Sequence, residues 1–174
     1  MLIGVTAPAK GGKDFVSDYL VDNMPGYVKH SYATPIKIML AEGLGLTHFQ
    51  LYGDGKQDND PRYDKSCREL MQTLGTDWGR NMIGLDIWVN ALRHFLTVQK
   101  IDDAVIADVR FENEAAFVRE RGLLIHITGR GGIPGNHESE AGVEVKDGDI
   151  VVKNTVGGST DGLYRQLREE VINR

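Results

Sequence analysis

A glycine-rich stretch near the start of the chain carries the residues best suited to chemistry. Residues 7–14 read Ala-Pro-Ala-Lys-Gly-Gly-Lys-Asp, close to the phosphate-binding pattern of Gly, four free positions and Gly-Lys-Ser/Thr. Gly11 and Gly12 allow successive N–H groups to face phosphate oxygens, and Lys13 supplies a cation. Alanine replaces the first glycine of the pattern, and Asp14 replaces the magnesium-binding hydroxyl. We predict a phosphate-binding loop; the alternative is a plain Gly-Gly turn.

The elements around this stretch favour the phosphate-binding loop. Residues 2–6 form an apolar run that predicts a strand, and residues 14–23 carry apolar side chains at helical spacing. Strand, glycine-rich turn and helix are the context that the pattern requires. A carboxylate at Asp14 can still bind Mg²⁺, because this ion prefers oxygen ligands. The alternative is that Asp14 only caps the helix.

A second acid follows another apolar run. Residues 104–107 predict a buried strand, and Asp108 stands at its end, where an acid can organise magnesium and its waters; the alternative is a cap of a turn or helix. Arg110 is expected at the same edge of the sheet. Its guanidinium can hold a phosphate through two hydrogen bonds, or it forms a surface salt bridge to a nearby glutamate.

A glycine-rich segment over residues 129–142 is predicted to be a lid. It carries Arg130 and His137. A loop that closes over a phosphoryl-transfer site excludes water, and an arginine on it can meet the charge of the transition state. His137 is not predicted to bind metal, since no second His or Cys lies at ligand spacing; we expect it to order the closed lid or contact a phosphate.

Residues 67–80 combine a guanidinium, an amide and an aromatic ring. Arg68 and Gln72 recur at helical spacing and so share one face, and Arg80 follows after a glycine-punctuated break. These groups suit a nucleoside monophosphate and its base. Trp78 either stacks on the base or packs in the core.

The order of the predicted elements indicates the fold. Strands at 2–6, 27–31, 104–107, 123–128 and 150–152 alternate with helices at 14–23, 34–43, 65–74, 86–99, 112–121 and 160–172. This alternation predicts a three-layer α/β fold with a parallel sheet of about five strands, and ligands at the carboxyl ends of the strands. The polar residues 53–64 are predicted to form a mobile loop. Residues 1–174 are predicted to be a single domain.

Composition limits the function classes. The chain has 174 residues, of which 41% are apolar and 26% charged, with a net charge of -5. This balance does not suit a protein that coats DNA or a membrane surface. The single cysteine, Cys67, excludes an internal disulfide and suits a reducing compartment. No apolar run approaches the roughly 18 residues that span a bilayer, so we expect a cytoplasmic protein, in the host cytoplasm if a phage encodes it.

Several segments together resemble one enzyme family. The stretch KGGKDFVSDYL resembles the Gly-Lys-Asp loop of bacteriophage deoxynucleoside monophosphate kinases, and also that of animal phosphomevalonate kinases. Further matches to the phage family are ATPIK at 33–37, CRELMQTLGTDWGR at 67–80, DIWV at 86–89, IADVRFENEA at 106–115 and HESEAG at 137–142. They cover nearly the whole chain in the family's order. Within this family an aspartate at position 14 is expected.

The resemblance implies a P-loop kinase that moves the γ-phosphoryl group of ATP to a deoxynucleoside monophosphate, with Mg²⁺ held by Asp14 and Asp108. It implies these catalytic residues: Lys13, Arg130 and Asp108. The implied ATP-binding residues are Lys10, Gly11, Gly12, Lys13, Asp14, Phe15 and Asn154, the last in a turn beside the donor adenine. The implied acceptor-binding residues in helices over about 34–99 are Lys37, Arg68, Gln72, Trp78 and Arg80, and those outside these helices are Arg110 and His137.

Alternatives to this interpretation remain open at the level of sequence. One is a small-molecule kinase for a non-nucleotide phosphate such as phosphomevalonate, and another is a nucleotide-binding module without acceptor chemistry. For Asn154, the alternative to a site is simple turn chemistry before Gly-Gly. The expected partners are small nucleotides, without direct nucleic-acid or membrane binding, and relatives suggest a homodimer.

Overall fold

A five-stranded parallel sheet organises the larger part of the chain. The computed structural model describes residues 1–131, 142–155 and 160–174. The chain divides into two compact units, a sheet unit made of Met1–Ser31 and Phe95–Arg174, and a helical unit made of Tyr32–His94. The strands are β1 (Leu2–Thr6), β2 (Val28–His30), β3 (Asn59–Asp60), β4 (Lys65–Ser66), β5 (Ala104–Ile106), β6 (Gly122–Thr128) and β7 (Ile150–Lys153). The helices are α1 (Lys13–Asn23), α2 (Thr34–Leu44), α3 (His48–Tyr52), α4 (Cys67–Gln72), α5 (Ile87–Gln99), α6 (Glu112–Arg119) and α7 (Thr160–Leu167).

The sheet unit contains strands in the order β2-β5-β1-β6-β7, and every neighbouring pair is parallel. All residues of β1 and β5 are buried, as expected for central strands of a parallel sheet whose two faces are covered by helices. The core includes Ile3, Val5 and Ile125, with Leu20 from α1 and Leu167 from α7 packed against them. The α/β class and the five-stranded parallel sheet are confirmed.

The helical unit contains α2, α3, α4 and the first part of α5. Side-chain caps fix two helix starts, because Thr47 and Ser66 each accept a backbone N–H three residues later while Gln50 and Glu69 reach back. The indole Nε1 of Trp88 donates to the Gly75 carbonyl oxygen at 2.7 Å. Trp88 is therefore the core tryptophan of this unit, with only 5% of its surface exposed.

Two local predictions in this unit differ from the structure. The helix that begins at Cys67 does not break before Arg80; it continues as a wider π-helical segment, Thr73–Ile83. Its glycines allow close packing, since a Cβ at Gly79 would lie 2.5 Å from the Trp88 ring and one at Gly75 would lie 3.0 Å from Ile36. Packing has outweighed the low helix propensity of glycine.

The segment 53–64, predicted as a mobile loop, contains the 3-10 turn Asp54–Gln57 and the short β3–β4 ladder. Its anchor is the buried Asp60, whose carboxylate accepts two bonds from the Arg62 guanidinium (2.9 and 2.7 Å) and one from Gln50 Nε2 (2.9 Å). These hydrogen bonds, from Arg62 first and then Gln50, hold the pKa of Asp60 well below its usual range. The hydrogen-bonded, buried Asp60 thus orders a segment whose polar composition had predicted a mobile loop.

No helix among residues 1–131, 142–155 and 160–174 is long and apolar enough to cross a membrane.

Candidate active site

The predicted phosphate loop connects the end of β1 to the start of α1. Gly12, the residue before the helix, has a φ of 95°, and Lys10 has a φ of 62°. Gly11 N–H donates to the Pro8 carbonyl oxygen at 2.9 Å. Left-handed residues alternating with others turn successive amides toward one side, which makes an anion-binding concavity. The helix that follows adds the positive end of its dipole.

Close packing around the loop leaves little room for a side chain at Gly11 or at Gly131. A Cβ at Gly11 would lie 2.9 Å from the Pro8 carbonyl oxygen and 3.1 Å from that of Arg130, and a Cβ at Gly131 would lie 2.8 Å from Pro8 Cβ. The segment that carries Arg130 therefore passes directly beside the loop, with the Arg130 residue exposed.

The charged side chains of this site form a short chain of ion pairs. Lys13 Nζ lies 3.2 Å from Asp14 Oδ2, and Lys29 Nζ lies 3.8 Å from Asp14 Oδ1 and 2.7 Å from Asp18 Oδ1. The Asp14 side chain is 69% exposed. Its charge is thus balanced by two lysines while it remains accessible from solvent.

Asp108 follows β5, the strand next to β1, and only 9% of its surface is exposed. The turn after it is fixed by Glu114, whose carboxylate accepts the backbone N–H groups of Arg110 (2.8 Å) and Phe111 (3.2 Å). The Arg110 residue is exposed. Asp108 and Arg110 therefore lie past the carboxyl end of a central strand, where parallel α/β sheets bind ligands.

The described ranges contain no group of three or more His, Cys, Asp or Glu side chains that could hold a metal ion. A divalent ion held by Asp14 and Asp108 would take its other ligands from phosphate oxygens and water, an arrangement that suits Mg²⁺ in phosphate-transfer sites.

Two features border the phosphate loop from the end of the chain. Asn154 Nδ2 donates to the Gly11 carbonyl oxygen at 3.0 Å. On the first turn of α1, the Phe15 ring stacks on Tyr164 with centroids 5.6 Å apart, and Tyr164 stacks on Tyr19 at 4.1 Å. Phe15 is 42% exposed, so part of its ring remains accessible from solvent.

Within the helical unit, cations gather near the start of α4. Lys37 Nζ lies 3.9 Å from the centre of the Tyr52 ring. Burial raises the pKa of the Cys67 thiol, and the positive charges of Lys56 and Lys37 act against that rise. Arg68 follows Cys67 directly and is half-buried. Three cations near one helix start suit the phosphate of an acceptor.

Three further predicted acceptor residues, Gln72, Trp78 and Arg80, follow along the same helix. Gln72 is half-buried, as is Trp78, whose ring lies 6.4 Å from that of Trp88. Arg80 is 6% exposed and donates from Nη1 to the Leu85 carbonyl oxygen at 3.1 Å. Arg80 therefore also supports the turn after the π-helical segment.

The predicted residues fall into two groups. The sheet unit contains Lys10, Gly11, Gly12, Lys13, Asp14, Phe15, Asp108, Arg110, Arg130 and Asn154, and the helical unit contains Lys37, Arg68, Gln72, Trp78 and Arg80. His137 lies outside the described residues, as do residues 132–141 of the predicted lid at 129–142. Sequence reasoning missed Lys29, which belongs to no motif and pairs with Asp14 from another element, 15 residues further along the chain. It also missed Lys56, whose positive charge acts on Cys67.

A family model and several individual proteins that match the chain carry the same description. A family model described as deoxynucleotide monophosphate kinase matches residues 46–167. The chain is 32% identical, over 190 aligned residues, to a protein of Acanthamoeba polyphaga mimivirus provisionally named a deoxynucleotide monophosphate kinase; the match covers 99% of this chain and 97% of that protein.

Two phage enzymes are also similar. The chain is 30% identical to the deoxynucleoside-5'-monophosphate kinase of Escherichia phage T5, over 82% of this chain and 57% of that enzyme. It is 34% identical to the deoxynucleotide monophosphate kinase of Escherichia phage RB69, over 60% of this chain and 44% of that enzyme. The chain thus matches nearly the full mimivirus protein, and about half of each phage enzyme.

Proposed function

Because the chain belongs to the deoxynucleotide monophosphate kinase family, we propose that it transfers the γ-phosphoryl group of ATP to a deoxynucleoside monophosphate, giving the diphosphate and ADP. The observation that carries this proposal is the loop between β1 and α1. It joins Gly11, Gly12 and Lys13 at the carboxyl end of a central strand, beside the strand that ends near Asp108. This position and these residues support the proposal of a nucleoside triphosphate site.

The donor triphosphate is proposed to lie on the amides of the loop, from Lys10 to Asp14, at the positive end of α1. Lys13 contributes a cation to the β- and γ-phosphates. The donor base is proposed to contact the exposed ring of Phe15, which lies on the first turn of the same helix and is supported by Tyr164. Aromatic rings accept any base face, so this contact alone gives little base selectivity.

The acceptor monophosphate is proposed to bind the helical unit. Its phosphate suits the cations Lys37, Lys56 and Arg68. Gln72 and Trp78 on the following turns supply an amide and a ring for the base, and Arg80 supports that segment from its buried position. The predicted contributions of Arg110 and His137 to acceptor binding stay part of this proposal.

Transfer between two phosphates needs no protein nucleophile, so catalysis rests on alignment and charge. We assign the charge of the transferring group to Lys13 and Arg130, whose segment lies beside the loop. Mg²⁺ is proposed to be held by Asp14 and Asp108, and when bound it neutralises phosphate charge. The exposed Asp14 carboxylate, already flanked by two lysines, tolerates a polyanion nearby because its own charge is balanced.

Neither alternative class is favoured. A kinase for a non-nucleotide phosphate shares the Gly-Lys-Asp loop but gives no reason for the family match over residues 46–167. A binding module without transfer gives no reason for the cations and aromatic rings of the helical unit.

The direct test is a coupled assay of ADP release with the four common deoxynucleoside monophosphates and phosphomevalonate as acceptors. We expect ADP release with at least one deoxynucleotide, and strong loss in Lys13→Ala at every magnesium concentration. Lys146→Ala is the control, since it removes an exposed lysine that pairs with Glu112 and lies outside the proposed site. Silence with every deoxynucleotide would overturn the proposal. The predicted homodimer is tested separately by light scattering.

A further inference from the structure

Asn154 contacts the phosphate loop although the two are 143 residues apart in sequence. Its side-chain Nδ2 donates to the Gly11 carbonyl oxygen at 3.0 Å. Its backbone N–H donates to the Thr128 carbonyl oxygen at 2.8 Å. The end of β6 therefore holds the backbone of Asn154, and the side chain of Asn154 holds the loop.

This bond constrains a single peptide group. In a trans peptide the carbonyl and the following N–H point in opposite directions. With the Gly11 carbonyl held toward Asn154, the Gly12 N–H points away from Asn154. Because this peptide group lies between two glycines, it is unusually free to rotate. Its orientation therefore depends strongly on a hydrogen-bond partner outside the loop.

The contact with Asn154 requires glycine at position 12. A Cβ at Gly12 would lie 2.6 Å from Asn154 Nδ2, and the φ of 95° is itself one that glycine favours. The loop backbone and the asparagine amide therefore meet at a distance that leaves no room for a side chain. This close contact holds the backbone of Gly11 and Gly12 in one orientation.

We propose that Asn154 is a positioning residue for the donor phosphates: it fixes the Gly11–Gly12 peptide so that the Gly12 amide faces the bound triphosphate. The inference rests on the proposed function, since it requires the loop to bind the donor. It differs from a position beside the donor adenine, because the contact is with the loop backbone. Without Asn154 the peptide samples other orientations, and the ligand must select the competent one at a cost in affinity.

The test compares ATP with inorganic triphosphate, which has the phosphates but no base. Affinities for both, with Mg²⁺, are measured by calorimetry for the wild type, Asn154→Ala and Asn154→Asp. Asn154→Ala is expected to weaken the binding of both ligands by the same factor. We expect about tenfold, because the Gly12 N–H would no longer be held toward the charged phosphate and its hydrogen bond would be lost. Asn154→Asp keeps the shape but turns an oxygen toward the Gly11 carbonyl, so it is expected to lose more.

The matched control is Gln166→Ala. The Gln166 side chain accepts from Lys153 N–H at 2.9 Å and donates to the Lys153 carbonyl at 3.3 Å. It therefore ties the residue next to Asn154 without contacting the loop. We expect a lower melting temperature and nearly unchanged affinity for triphosphate.

Different failures have different signatures. Weaker ATP with normal triphosphate affinity would mean that Asn154 contacts the nucleoside, and would overturn the inference. Normal affinities with a lower melting temperature in Asn154→Ala would make its role structural only, and would also overturn it. Wild-type protein that binds neither ligand would overturn the proposed function itself.

Discussion

The acid at position 14 is better placed for electrostatics than for helix capping. Gly12, and not a side chain, occupies the N-cap of α1, without a side-chain hydrogen bond. The Asp14 side chain is 69% exposed and pairs with Lys13 and Lys29. Exposed pairs of this kind contribute about 0–1 kcal/mol to stability. Removing the carboxylate should therefore affect ligand and metal binding far more than folding.

We predict that Asp14→Asn lowers turnover severalfold and raises the Mg²⁺ concentration for half-maximal activity, with a melting temperature close to that of the wild type. The reason is that Asn lacks the charged carboxylate that we propose binds Mg²⁺ beside the triphosphate. The measurement is a magnesium titration of the kinase assay. Asp18→Asn is the control: its carboxylate also pairs with Lys29 and is 62% exposed, but it lies one turn further along. Equal metal dependence in both variants would contradict the assignment.

We predict that Phe15→Leu raises the KM for ATP by about tenfold, in line with roughly 1–3 kcal/mol for the stacking of one base on an aromatic ring. Its affinity for inorganic triphosphate should stay normal, because the phosphates do not contact the ring. Tyr164→Phe retains the stacked ring and should behave as wild type. An unchanged KM in Phe15→Leu would exclude this ring from the donor site.

At this scale the sequence predicted what is local and missed what is distant. Gly11, Gly12 and Lys13 lie within one short motif whose order alone indicates a phosphate loop. Lys29 meets Asp14 from β2, and Asn154 meets Gly11 from the other end of the chain. Contacts of that kind depend on strand order in the sheet, which no spacing of residues along the chain reveals.

Among the elements, the helix from Cys67 to Ile83 shows why a local rule failed. Two glycines predicted a break, since each lowers helix propensity by about 1 kcal/mol relative to alanine. In the fold these same glycines admit Ile36 and the Trp88 ring at short range. The larger burial of a tryptophan outweighs the propensity. The strands of the parallel sheet, in contrast, were predicted close to their observed bounds, because its buried members are largely continuous apolar runs.

Two helical glycines give opposite predictions. A Cβ at Gly79 would lie 2.5 Å from the Trp88 ring, whereas nothing lies within 4 Å of one at Gly43 in α2. We expect Gly79→Ala to lower the free energy of unfolding by about 1–3 kcal/mol through overpacking. Gly43→Ala should raise it by roughly 0.5–1 kcal/mol through helix propensity. Chemical denaturation of both variants measures this, and stabilisation by Gly79→Ala would show that Trp88 moves aside freely.

On the scale of the whole molecule, a buried ionic network within the sheet unit joins the segment before β7 to β6 and α6. Asp149, with a side chain 2% exposed, accepts from Arg119 (2.9 and 2.7 Å) and lies 2.8 Å from His126 Nε2. Lys146 N–H also donates to it at 2.9 Å. Arg119 further donates to the Glu144 carbonyl and to Glu112. One carboxylate thus links β6, α6 and the segment that leads into β7.

This network makes stability depend on acid in a definite direction. Burial alone would raise the pKa of Asp149, but the hydrogen bonds from Arg119, the Lys146 amide and His126 outweigh it, and the pKa lies well below its usual range. A lowered folded-state pKa contributes stability above the unfolded value, near 4, and that contribution is lost as pH falls below it. Breaking such a buried pair at neutral pH costs about 3–5 kcal/mol.

We therefore expect Asp149→Asn to lose about 3 kcal/mol of unfolding free energy at pH 7, with the difference from the wild type shrinking as pH falls below about 4. The measurement is urea denaturation of both proteins between pH 3 and pH 8. Asp147→Asn is the control, because Asp147 lies two residues away and is exposed; its curve should follow the wild type. A deficit in Asp149→Asn that stays constant across the acid range would mean that lost packing, and not the ionised carboxylate, accounts for the effect.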